Sequence, residues 1–151
     1  MANEDLEPNF LLTSPTAVRI YEEYLRILPI VDIHTHADGK ERELPKNAWD
    51  LFVGGDHYKT NLMYLNGWDP EKIDGDSVSK EERWEAFASM FDQTIGTIIY
   101  DATNLSLRRQ FGWHDGLNKA NAPGAWIRIG DYLSDGRVTL GSIIKPPEEG
   151  P

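Results

Sequence analysis

Eight residues constrain this chain more than any others. Pro29-Ile30-Val31-Asp32-Ile33-His34-Thr35-His36 is a β-branched run that reads as a strand. Side chains alternate across a strand, so Asp32, His34 and His36 share one face while Val31, Ile33 and Thr35 share the other. Both faces carry bulky groups, the pattern of a strand covered on two sides in a parallel sheet or barrel. Such a strand needs neighbours, and within the 151 residues only the short Arg137–Ile144 segment offers one. A (β/α)8 barrel takes roughly 250 residues. The expected architecture is therefore α/β, a larger fold cut short, with one strong strand followed by a mostly helical stretch. The expected divisions are 1–36 for the N-terminal helix and first strand, 37–136 for a helical excursion, and 137–151 for a weakly structured tail.

Helix signals account for most of the remaining sequence. Ser14-Pro15 sets an N-cap before a proline at the first helical position, and Val18, Tyr21, Leu25 and Leu28 recur at helical spacing until Pro29 stops the run. Asp56 caps a second helix through Tyr58, Leu62, Met63 and Leu65, with Asn66-Gly67 as its terminator. Ser79-Lys80-Glu81-Glu82 has capping-box spacing and leads into Trp84, Phe87, Ala88 and Phe91 on one stripe. Further helices are predicted over Ile98–Gln110, ending at Gly112, and over Gly124–Leu133. The prolines of Lys145–Pro151 exclude a helix at the end.

Composition removes several function classes. The formal net charge is −10, and a negative surface repels phosphate, which argues against nucleic acid or an anionic membrane as partner. Zero cysteines exclude a disulfide framework, a thiolate nucleophile and a Cys-ligated metal. Met1–Pro8 lacks the basic and apolar regions of a signal peptide, and the apolar runs fall far short of the ~18 residues of a spanning helix. A soluble, cytoplasmic protein is expected.

Two segments carry candidate chemistry. His34 and His36, at i and i+2, project from one face of the strand roughly 6.6–7 Å apart. Imidazole nitrogens bind zinc at about 2.0–2.1 Å, so the pair can share one divalent ion, with Asp32 as an outer partner or a further ligand. The C-terminal end of a strand is also where α/β barrels carry their chemistry. The same two residues equally fit hydrogen-bonded surface histidines after a strand. The second segment is Gly54-Gly55-Asp56-His57-Tyr58-Lys59. Helix-start N–H groups with Lys59 nearby suit a carboxylate or phosphate, and Tyr58 can donate a hydrogen bond to a substrate oxygen or take part in proton transfer. Read blandly, the hexapeptide is an αL turn with Asp56 as cap and Tyr58 in the core.

Taken in order, these segments resemble the N-terminal part of the uronate isomerase family, within the amidohydrolase superfamily. The matching stretches are Asp5-Leu6 through Phe10-Leu11-Leu12, the Tyr21–Leu28 helix, Leu28–His36, Gly54–Lys59, Asn66-Gly67 and Leu105-Ser106-Leu107-Arg108-Arg109-Gln110-Phe111-Gly112. The resemblance covers roughly residues 5–133, and the ordered set is far more specific than any one motif. It departs from the family's pattern at Asp101-Ala102-Thr103-Asn104 and fades beyond about residue 137.

The resemblance implies a metal-dependent (β/α)8 barrel with a helical excursion after the first strand. It makes the strand here the first of that barrel, followed by a mostly helical subdomain and truncated before the barrel is complete. It implies interconversion of D-glucuronate with D-fructuronate, and of D-galacturonate with D-tagaturonate, in hexuronate catabolism. On that basis His34 and His36 are metal ligands for a divalent ion, zinc by ligand type; His57 and Tyr58 contact substrate, both are catalytic candidates, and Tyr58 serves the proton-transfer step. The implied partner is a hexuronate sugar acid, and a homo-oligomer is compatible with it. The family's later metal ligands, carboxylate-binding arginines and late-strand aspartate have no counterpart here. Arg108 and Arg109 read as a helix-surface pair, so the 151 residues alone are expected to be inactive. Two other readings stand beside this one: a metal-dependent hydrolase of the same superfamily, and a non-catalytic helical domain binding a partner through exposed aromatics.

Overall fold

Every regular element in the computed structural model is helical among its described residues, which are 12–29, 31 and 44–139. The chain divides into two units, Met1–Asp38 and Gly39–Pro151.

In the first unit, Ser14 caps as its sequence predicts: its Oγ accepts from the Ala17 N–H at 3.1 Å and opens α1, Pro15–Ile20. The helix widens into a π-helical turn over Tyr21–Leu25 and closes with Leu28 N–H donating to the Leu25 carbonyl at 3.1 Å. It falls short of the predicted span because a residue before proline is pushed out of the α region. The predicted strand lies outside the described residues apart from Pro29 and Val31, neither of which is in regular structure.

The second unit is built around the Ser79 capping box. Ser79 Oγ accepts from the Glu82 N–H at 3.2 Å, and the Glu82 carboxylate accepts from the Ser79 N–H at 3.0 Å. The box starts a helix over Lys80–Met90, which a 3-10 turn, Phe91–Thr94, extends. Trp84, Phe87, Ala88 and Phe91 are all buried, as their stripe predicts. Two five-residue helices escape the sequence reading. Ala48–Phe52 (α2) is capped by Asn47, whose Oδ1 accepts from the Asp50 N–H at 2.9 Å. Pro70–Asp74 (α4) is opened by Asp69-Pro70, the same cap-and-proline signal as Ser14-Pro15. Helices this short have no periodicity to read and are held by tertiary burial, here of Trp49, Phe52 and Ile73. Between them lies α3, His57–Leu65; the capping-box helix is α5.

The last two helices match expectation within two residues. Ile98–Phe111 (α6) stops at Gly112, whose φ of 58° is the left-handed C-cap geometry that favours glycine, and Ala122–Ser134 (α7) follows. Helices α2 and α7 both pack on α5. Phe52 meets Trp84 at 6.1 Å and Phe111 at 5.8 Å between ring centroids. The Trp84 indole N–H donates to the Ala122 carbonyl at 3.0 Å, closing the core across 38 residues. Trp68, Trp113 and Trp126 pack against the same core, so the tryptophans do not form the exposed aromatic surface that the non-catalytic reading needs. Over its described part, Arg137–Thr139, the second candidate strand is irregular; Arg137 instead stacks on Tyr132 at 3.7 Å and pairs with Asp135 at 2.6 Å.

Candidate active-site turn between two helices

The candidate site is the turn joining α2 to α3. Val53 and Gly54 N–H groups both donate to the Trp49 carbonyl at 2.8 Å. The buried Trp49 indole covers Gly54 so closely that a Cβ there would lie 2.8 Å from Nε1. Neither Gly54 nor Gly55 has a positive φ, so the αL reading is corrected: Gly54 is required for close approach of an indole, not for a left-handed turn.

Asp56 then caps α3. Its Oδ1 accepts from the N–H groups of Tyr58 at 3.0 Å and Lys59 at 3.4 Å, and its carbonyl accepts from Thr60 at 3.0 Å. The helix-start donors expected to receive a substrate anion therefore hold the chain's own carboxylate. Lys59 also departs from expectation. Its side chain, only 13% exposed, turns inward; Nζ donates to the Phe52 carbonyl at 2.7 Å and pairs with Asp56 Oδ2 at 3.3 Å. Burial pulls the Lys59 pKa below its ordinary value, against the opposing pull of Asp56.

With Lys59 turned inward and Asp56 capping the helix, the turn presents His57 and Tyr58. Both are exposed, Tyr58 at 65%, which overturns the reading of Tyr58 as a core residue. Their rings lie 4.2 Å apart at 35°. The structure thus brings together two of the four predicted site residues. His34 and His36 lie outside the described residues, as does Asp32. Among the described residues no group of three or more His, Cys, Asp or Glu side chains is placed to hold a metal.

Two stretches of α6 singled out in the sequence take structural places. Asn104 is buried on α6 and its Oδ1 accepts from the Leu117 N–H at 3.3 Å, while Arg108 and Arg109 occupy the last turn of α6, where cations suit the helix dipole. The inward role of Lys59 went unforeseen; Trp49, five residues before Gly54, was the one hint that this turn is packed from beneath.

The model of the family described as "Glucuronate isomerase" matches residues 2–148. The chain belongs to the glucuronate isomerase family. Among its family relatives, uronate isomerase from Bacillus licheniformis is 40% identical over 143 residues, covering 93% of this chain and 30% of the relative. Uronate isomerase from Caldicellulosiruptor bescii is 38% identical over 133 residues, 86% of this chain and 28% of the relative. The crystal structure of uronate isomerase from Thermotoga maritima is similar with a TM-score of 0.76 and 32% identity, over 87% of this chain and 30% of that one. The chain of this family member thus spans about 30% of the length of the curated relatives it matches. Among the described residues, no helix is long and apolar enough to cross a membrane.

Proposed function

We propose that this chain supplies the substrate-contacting turn of a uronate isomerase, with D-glucuronate or D-galacturonate as substrate. The observation that carries the reading is the His57–Tyr58 pair, held exposed on a braced turn within a segment 40% identical to a uronate isomerase.

Aldose-to-ketose conversion moves one proton from C2 to C1 and another from the C2 hydroxyl to the C1 oxygen, through an enediol. That chemistry needs a base, a hydrogen-bond donor and compensation of developing negative charge. The Tyr58 hydroxyl can donate to a substrate oxygen and relay a proton; the His57 imidazole can accept or donate beside it. A divalent ion, zinc on the chemistry of imidazole donors, completes the reading. His34 and His36 would hold it, and when bound it would supply positive charge beside an anionic sugar acid. That charge matters in a chain of net charge −10. The metal-dependent barrel, the amidohydrolase superfamily and the cytoplasmic setting belong to the same reading, supported by the family resemblance.

The test is turnover of D-glucuronate and D-galacturonate by the polypeptide carrying this segment, set against release of product from amides and esters. Isomerase activity without hydrolysis supports the assignment; hydrolysis alone replaces it with the metal-dependent hydrolase. Tyr58→Phe should lower kcat about 10²-fold or more while leaving the melting temperature unchanged, because Tyr58 is exposed. An unaltered kcat would remove Tyr58 from the chemistry.

A further inference from the structure

The buried end of the site turn holds a charge that the proposed chemistry does not use. We propose that Lys59 is a positioning residue, whose ammonium ties the cap of α3 to the end of α2 and so fixes how the His57 and Tyr58 rings are presented. The role rests on the isomerase reading, in which those rings contact the sugar acid.

Chain entropy sets the problem. Gly54-Gly55 gives the turn more conformational freedom than any other residue pair would, and the exposed His57 and Tyr58 follow it closely. The backbone beneath them is braced. Three interactions brace it: the Trp49 indole against Gly54, Asp56 N–H donating to the Val53 carbonyl at 2.9 Å, and Lys59 Nζ reaching both the Phe52 carbonyl and Asp56.

Asp56 links the last of these to the rings. One carboxylate oxygen holds the Tyr58 and Lys59 N–H groups and the other meets the ammonium. The lysine therefore sets the rotamer of the carboxylate that in turn orients the first turn of α3. His57 lies between Asp56 and Tyr58 in sequence, so each member of the pair is adjacent to a clamped position. Burying an ammonium is costly unless it is paired and hydrogen-bonded; a lysine used only for solubility would point outward. Here the stem reaches back across the turn to satisfy a carbonyl at the end of α2, which Lys59→Met would leave without its donor.

The chain contains no cysteine, so one introduced thiol can be modified alone. Proton NMR of the 151-residue chain reads the inference through the Overhauser effects and ring-current shifts between His57 and Tyr58. In Lys59→Met these should fall by half or more while the amide pattern of α5 and α7 is retained. Lys59→Cys should behave likewise until aminoethylated in denaturant and refolded, which restores a lysine-length ammonium and should restore the pairing of the rings. A purely structural lysine would change stability without this fall and rescue. Overhauser effects at full strength in Lys59→Met, or absent after aminoethylation of a correctly refolded Lys59→Cys chain, would overturn the inference. Should Lys59→Met fail to fold, Asp56→Asn decides, since it keeps a capping oxygen and removes the charge pair: weakened Overhauser effects there support the clamp, and unchanged ones reject it. None of these readouts uses turnover, so ring order that depends on Lys59, found together with hydrolysis and no isomerisation by the polypeptide carrying this segment, would sink the isomerase reading alone.

Discussion

Lys59 shows how one residue links stability to pH. Burial lowers its folded pKa from the ordinary 10.5, with Asp56 working against that shift. Below the lowered folded value both states are protonated, and the full cost of burying the charge is present. As pH rises from the lowered folded value toward 10.5, the unfolded chain binds more protons than the folded one, so this group's contribution to stability increases. Tyr64 acts in the opposite sense: donation to Asp74 at 2.5 Å raises its pKa, and stability from that bond is lost as pH climbs through the raised value. Comparing wild type with Lys59→Met in urea melts across the pH range up to the ordinary 10.5 isolates the lysine. The wild type should gain relative to the variant as pH rises, and a constant difference would show that Lys59 is not held by burial. At this scale the cap on Asp56 was legible, because it involves residues two and three positions away. The inward turn of Lys59 was not, because the Phe52 carbonyl that receives it is placed by a separate helix.

Among the elements, α5 depends most on its start. Ser79→Ala removes the side-chain half of the capping box and should cost about 1 kcal/mol, read as an equal loss of stability by far-UV circular dichroism and by tryptophan fluorescence. Equal loss is expected because α5 carries Trp84 into the core; a change in one probe only would show the helix end fraying independently. Hydrogen bonds from Ser79 hold the Glu82 carboxyl below its ordinary range. That contribution is present above the normal carboxylate pKa and is lost as pH falls through the depressed value. Long helices with caps were readable because their signals sit within one turn. Helices α2 and α4 went unread although Asn47 and Asp69 cap them, since five residues give no period to recognise and burial of Trp49, Phe52 and Ile73 keeps them folded.

At the scale of the second unit, Trp84 joins what sequence separates. It is fully buried, meets Phe52 and Phe87, and donates to the Ala122 carbonyl. Trp84→Ala should cost about 3–5 kcal/mol, a large share of the ~5–15 kcal/mol that holds a typical domain. Urea denaturation should show that loss in one cooperative transition; a second transition would mean that α2 and α7 fold without α5 between them.

What the amino-acid sequence by itself determined was local or compositional. Ser14, Asp56, Ser79 and Gly112 set helix ends because a cap acts within about three residues. The ordered motifs named the family because they survive as a pattern in chain order, whatever the fold around them. The tertiary structure alone decided that Tyr58 faces solvent while Lys59 faces inward, that Gly54 serves an indole, and that helix-start donors hold Asp56 rather than a substrate anion. Each of those outcomes turns on which surface another segment covers, and burial is a property of packed elements rather than of neighbouring residues.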